Sequence, residues 1–166
     1  MPVTKHNPTE LFPQYRNYSH AIEVGADARL LFISGLNGYL KDGKTMPDSF
    51  EEQGEIVWGH IGVILKSAGM TYENIVSLRT YLSSPEYDEA NVRLRMKYLG
   101  DNQPASTVIC CQLLESKWKL EIEAIAAGGA LYTLCVSNHG GPYDRSIIPM
   151  PLLWRSLETK RNRICD

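Results

Sequence analysis

The sequence predicts an α+β fold, a single β-sheet with two helices on one face. Three observations carry this. Short runs of β-branched and aromatic residues, each bounded by glycine, proline or a polar cluster, recur along the chain as strands. Ser49 with Glu52 three positions on forms a capping box ahead of a helical apolar repeat. Ser84-Pro85 places a cap and a first-turn proline ahead of a second repeat. The order is β-β-α-β-α-β-β, and a sheet covered on one side by two helices makes a compact layered domain.

Residues 1–17 carry three prolines and little periodicity, and read as an extended N-terminal arm. "YSHAIEVG" (18–25) alternates and ends in Gly25, and "RLLFISG" (29–35) is apolar and ends in Gly35. The short Ala26-Asp27-Ala28 link predicts an antiparallel hairpin between them. "LNGYLKDGKTMPDS" (36–49) is a turn-rich loop; its glycines lack the spacing of a phosphate-binding loop. From Ser49, Val57, Ile61, Ile64, Leu65 and Ala68 keep helical spacing, and Gly69 is placed to end the helix. "IVSLRTYLSS" (75–84) is a strand. Ala90, Leu94 and Tyr98 mark the buried side of the second helix, which Gly100 stops. Residues 105–112 and 118–127 are the last strands. Because these strands look apolar on both faces, the side away from the helices needs a cover, and a second copy of the chain can supply it.

With 166 residues and 43% hydrophobic residues, the chain can bury one ordinary core. A formal charge of −2 offers no basic surface for nucleic acid or an anionic membrane. No apolar run reaches the roughly 18 residues of a membrane span, and "MPVTKHNPTELFP" lacks the apolar stretch of a secretory signal. A cytoplasmic protein is expected. None of the four cysteines forms a C-x-x-C pair, so no metal site is expected. Cys110 and Cys111 point to opposite faces of a strand. They read as small buried hydrophobes, with a reactive thiol as the alternative.

The last strand, "LEIEAIAA", sets Glu121 and Glu123 side by side on one face of an otherwise apolar run. Together with Tyr18-Ser19-His20-Ala21, Phe32-Ile33-Ser34-Gly35, Phe50-Glu51-Glu52-Gln53, Ala68-Gly69, Asn91 and Pro104-Ala105, this stretch resembles the Rid family of reactive-imine deaminases, also labelled YjgF or endoribonuclease L-PSP. The pieces run in family order over roughly 110 residues, with "EIEAIA" the most specific of them. The resemblance implies a chorismate-mutase-like α+β fold and a homotrimer with three clefts, each between two subunits. No cofactor is expected. The domain would cover 18–129, leaving 130–166 as a C-terminal extension. In that extension "ALYTLCV" could add a strand, and "LLWRSLETKRNR" reads as a short amphipathic helix; the extension is expected to pack on its own trimer or a neighbour, where it could line or lid the cleft.

The resemblance also implies site residues. Glu121 takes the position of the family's water-handling glutamate, in an interface cleft. A carboxylate beside an apolar wall, with Glu123 as a like-charged neighbour, is suited to move a proton or a water. Glu123 could instead pair with a cation across the sheet. Tyr18 matches a cleft tyrosine or is a strand-edge aromatic. His20, two residues on, is either an acid-base group near neutral pH or a hydrogen-bonded surface histidine. Ser34 and Gly35 fall among the ligand-binding positions. Asn91 faces either the cleft or the helix exterior.

Ser106 stands where the family's deaminases carry an arginine, and Val108 where many carry a cysteine. An arginine fork grips a substrate carboxylate through two charge-assisted bonds, whereas a serine offers one neutral hydroxyl. Ser106 and Thr107 either hydrogen-bond the ligand or satisfy the strand end. Arg79 could replace the missing cation or pair with Glu123. Ser106, His20 and Glu121 lack the nucleophile elbow of a triad, and His60 reads as structural.

The sequence therefore points to a Rid-like enzyme acting on an imine, enamine or related reactive small molecule, by deamination, hydrolysis or a related pathway-specific step, with a specificity that Ser106 shifts away from the family's 2-imino acids toward a less acidic or larger ligand. Loss of the arginine supports the alternative, a non-catalytic small-molecule binder or regulator on the same trimer. Ribonuclease activity rests on the family label alone, and the near-neutral charge gives it no electrostatic footprint.

Overall fold

A computed structural model of the chain describes residues 3–14 and 16–129. Their strands are β1 (Val3–His6), β2 (Ala21–Val24), β3 (Arg29–Leu36), β4 (Ile75–Leu82), β5 (Ala105–Cys110) and β6 (Leu120–Gly128). The helices are α1 (Phe50–Ser67) and α2 (Asp88–Leu99), with short 3-10 turns at Tyr72–Asn74 and Pro85–Tyr87.

Four strands form the main sheet in the order β3-β6-β4-β5. β6 runs antiparallel to both β3 and β4, and β4 and β5 are parallel. A parallel neighbour needs a crossover, and α2 supplies it. Alternation sorts the sheet's two faces. Leu78, Thr80 and Leu82 of β4, with Leu120, Ile122 and Ala124 of β6, are buried under the helices. Arg79, Tyr81, Glu121 and Glu123 take the opposite face.

Both ends of α1 follow local sequence. The Ser49 hydroxyl accepts from Glu52 N at 3.2 Å and donates to the Glu52 carboxylate at 2.7 Å. Gly69, at φ +67°, closes the other end. Its N–H reaches Lys66 O, and that of Met70 reaches Leu65 O, the two bonds of a Schellman motif. α1 buries Val57, Trp58, Ile61 and Leu65. Its Trp58 stacks on Tyr98 of α2, with ring centres 5.3 Å apart and planes 7° from parallel. The second helix begins later than its Ser84-Pro85 signal: that stretch forms the 3-10 turn, and α2 proper starts at Asp88.

One expectation gains detail and one is corrected. Part of the N-terminal arm is a strand, β1, which pairs antiparallel with β2 from Val3↔Val24 to His6↔Ala21. The expected β2-β3 hairpin does not form among the described residues. The link does turn, with Ala28 N donating to Gly25 O. β3, however, gives its ladder to β6, and β2 gives its own to β1. The face of the main sheet away from the helices carries exposed apolar side chains, with Phe32 at 71% and Leu30 at 50% exposure. Among the described residues no helix is long and apolar enough to cross a membrane. The strand and helix expected within 130–166, with Cys135 and Cys165, lie outside the described residues.

Candidate functional site

The expected site residues fall into two groups on different surfaces. The first centres on β6. Cross-strand register pairs Arg79 with Glu123 and Tyr81 with Glu121, which gathers four polar side chains on the open face. Arg79 Nη1 donates to Glu123 Oε1 at 2.7 Å, and the Tyr81 hydroxyl donates to the same oxygen at 3.3 Å. Glu123 is thus neutralised within the sheet, and Arg79 is spent on it, the second of the roles the sequence allowed. Burial, then the charge of Glu123, pushes the Tyr81 hydroxyl above its ordinary range, so it stays a proton donor. The bond to Glu123 raises Arg79 in turn.

Glu121 is placed differently. Its carboxylate lies directly over the backbone of Gly35, so close that a Cβ on residue 35 would come within 2.0 Å of Oε1. The β3-β6 register shifts between Ile33 and Leu36, at Ser34-Gly35, and the bulge re-aims the strand under the carboxylate. Among the described residues no side chain hydrogen-bonds Glu121. Glu121, Ser34 and Gly35 therefore come together, with Tyr81 beside them. Tyr81 was missed in the sequence. Its alternation with Arg79 in "SLRTYL" puts it on the same face, but the cross-strand register that sets it opposite Glu121 cannot be read from one strand.

The second group surrounds a half-open cavity of about 560 Å³ at the β5 edge, lined by Tyr18, Ser106, Thr107, Val108, Arg95 and Cys110 among others. Ser19 holds Tyr18 there: its N–H reaches Pro104 O at 3.1 Å and its hydroxyl reaches Gln103 O at 2.7 Å. Ser106 lies across from Leu78 in register, on the helix side of the sheet, where Arg95 Nη1 donates to its hydroxyl at 3.3 Å. Arg95 is the second residue missed. In "NVRLRMK" it reads as one more solvated helix charge, yet it is only 3% exposed.

His20 does not line the cavity. Its ring packs edge-on against Tyr18 and Phe12, its Nδ1 accepts from Gln14 Nε2 at 2.9 Å, and its backbone N–H donates to Asn7 Oδ1. With Nδ1 accepting, the neutral ring carries its proton on Nε2, a buried atom that makes no hydrogen bond among the described residues. Asn91 faces neither a cleft nor the helix exterior. It is buried at 1% exposure beneath the sheet because it falls on the packed side of α2, between Ala90 and Leu94. The cysteine expectation is also corrected. Cys110 is exposed and Cys111 half-buried, because β5 is an edge strand and ends at Cys110. His60 bonds Tyr39 O at 2.7 Å, a structural contact. Among the described residues no cluster of three metal-ligating side chains occurs.

Within one chain the carboxylate group on β6 and the hydroxyl-guanidinium group on β5 are thus separated by β4 and lie on opposite faces of the sheet. Residues 10–128 match the family model described as endoribonuclease L-PSP. The chain is 32% identical to Reactive Intermediate Deaminase A, chloroplastic, of Arabidopsis thaliana over 74% of its own length and 63% of that relative's. It is 31% identical to the 2-iminobutanoate/2-iminopropanoate deaminase of Capra hircus, over 70% of this chain and 83% of the other. A crystal structure of a protein of unknown function of the conserved Rid family from Yersinia pestis superposes with a TM-score of 0.67 at 29% identity, over 76% of this chain and 98% of that one. The chain belongs to the endoribonuclease L-PSP, or Rid, family.

Proposed function

We propose that this chain is a Rid-like hydrolase of imines or enamines, acting in clefts between the subunits of a cytoplasmic homotrimer. The observation that carries this is the placement of Glu121, an acid held over Gly35 with no hydrogen bond from a described side chain, on a face rich in exposed apolar groups. Relatives named as deaminases of 2-iminobutanoate and of reactive intermediates support the reaction class. The separation of the two half-sites within one chain supports a shared cleft: Glu121, Ser34 and Gly35 of one copy would face Tyr18, Ser106, Thr107 and Val108 of the next.

In that cleft Glu121 takes a proton from water as the water adds to the electrophilic carbon of the C=N bond. It then returns that proton to nitrogen, giving a carbinolamine; the same carboxylate next takes the carbinolamine's hydroxyl proton and passes it to the amine as the C–N bond breaks, so that the C=O product and ammonia leave. Tyr18 and Ser106 orient the ligand.

The experiment is ammonia release from freshly generated 2-imino acids. Wild type should accelerate it, and Glu121→Gln should reduce the rate by about 10²-fold or more, the scale of a positioned acid-base group. Equal rates for the two proteins would refute the role of Glu121. The alternative, a non-catalytic small-molecule binder or regulator, is favoured by Ser106 standing where the deaminases carry arginine. Saturable metabolite binding without ammonia release from any imine would select it.

A further inference from the structure

On the open face of the main sheet, three side chains form a line of fixed hydrogen bonds that ends beside Glu121. Arg79 Nη1 pins Glu123 Oε1 at 2.7 Å, and the Tyr81 hydroxyl donates to that same oxygen at 3.3 Å. A phenol carries one proton, and this one is spent on Glu123. The lone pairs left on the Tyr81 oxygen can only accept. Glu123 is a diagonal neighbour of Tyr81 across the strands, and Glu121 is its directly opposed partner on the same face.

Tyr81 and Glu121 thus set two acceptors against each other. Opposed residues of paired strands have their Cβ atoms about 5 Å apart. A carboxylate has no proton to give, and the proton of Tyr81 is already committed, so the two oxygens do not bond directly. A water molecule matches this pair: it donates one hydrogen to each acceptor and keeps its own lone pairs free. Burial and the charge of Glu123 hold the Tyr81 hydroxyl in its protonated form, so Glu121 is the only base of the two. The carboxylate itself rests over Gly35 on the neighbouring strand.

We propose that Tyr81 and Glu121 together bind the attacking water, with Arg79 and Glu123 as positioning residues that hold the Tyr81 oxygen as an acceptor. The inference rests on reading Glu121 as the acid-base group of imine hydrolysis. The water gives one proton to Glu121 as its oxygen bonds to the C=N carbon and the π pair moves to nitrogen. Its second proton stays on oxygen, donated to Tyr81, and becomes the carbinolamine hydroxyl. Glu121 passes the first proton to nitrogen. The hydroxyl then turns from Tyr81 to Glu121 and gives up its proton as the C–N bond breaks. Tyr81 keeps its own proton on Glu123 throughout. A lone carboxylate leaves a water free to rotate about one bond, whereas a second acceptor fixes where its lone pairs point.

Tyr81→Phe tests this on the full chain, because it removes one oxygen and keeps the ring. Wild-type crystals should show one water within about 3.2 Å of both Tyr81 Oη and a Glu121 oxygen, and crystals of Tyr81→Phe should lose or displace it. In ammonia release from a freshly generated 2-imino acid, Tyr81→Phe should lower kcat about tenfold, with KM within about twofold and the urea midpoint near wild type. Glu123→Leu should cost less rate in the Tyr81→Phe background than in wild type, since part of its effect runs through the Tyr81 hydroxyl. No water shared by the two oxygens, a wild-type kcat in Tyr81→Phe, or an equal cost of Glu123→Leu in both backgrounds would each overturn the proposal. A shared water in a protein that releases no ammonia from any imine would sink the hydrolase reading and leave the water site standing. Ammonia release that needs Glu121 but not Tyr81 would do the reverse.

Discussion

Replacing Gly35 by alanine should disable the site while leaving the fold intact. The new methyl carbon would sit 2.0 Å from Glu121 Oε1, 2.9 Å from its Cδ and 3.1 Å from its Cγ. Comfortable contact needs about 3.5 Å, so the carboxylate must retreat by about 1.5 Å. Gly35 is not among the positive-φ glycines, so alanine suits its backbone. The clashing atoms are the tip of a flexible side chain on a half-open surface, so the folding cost should stay near 1 kcal/mol or less. Catalysis is less forgiving. A misplacement of about 1 Å can cost 10²-fold in rate, or about 2.7 kcal/mol of barrier. Initial rates of ammonia release from a 2-imino acid should therefore fall about 10²-fold, mostly in kcat, while the urea midpoint moves little. A folded Gly35→Ala protein within about twofold of the wild-type rate would refute the claim that this contact positions the reacting carboxylate.

Gln53 is fully buried, and its side chain bonds Pro47 O, Lys117 O and Lys119 N at 2.7–2.9 Å, tying α1 to the segment entering β6. Gln53→Leu keeps the volume but strands three polar groups at about 1–3 kcal/mol each, so urea unfolding should show a loss of about 3 kcal/mol or more at unchanged m, and a loss under about 1 kcal/mol would contradict this. Tyr98 has its hydroxyl pushed well above its ordinary pKa of 10, first by burial and then by its bond to Glu55. The folded state then holds its proton where the unfolded chain has lost it, so stability declines as pH rises above about 10. In Tyr98→Phe that alkaline decline should be shallower, and an unchanged slope in urea midpoints across pH 9–11 would refute the assignment.

What the sequence made legible was local. The Ser49-Glu52 box and Gly69 delimit α1 because caps are decided within four residues, and the chain closes the helix where they say. Alternation in "LEIEAIAA" placed both acids on one face because a strand's period is fixed by its backbone. The choice of strand partner is non-local and stayed hidden. All four residues of β1 are exposed, so Val3–His6 carries no buried pattern to announce a strand, and a short link between β2 and β3 promised a hairpin whose ladders go elsewhere. Arg95 and Tyr81 escaped for a related reason. Each is an ordinary residue in its own element, and each gains its role from the strand or helix lying across from it.

Co-assembly of two inactive variants tests most directly whether the reactive site is shared between copies. Glu121→Gln removes one half of the site, and Ser106→Trp fills the cavity of the other half. Refolded together at equal amounts, random trimers would rebuild about a quarter of the clefts with both halves intact, so about a quarter of wild-type ammonia release should return. A mixture no more active than its two parents would mean that Glu121 and Ser106 do not meet across an interface.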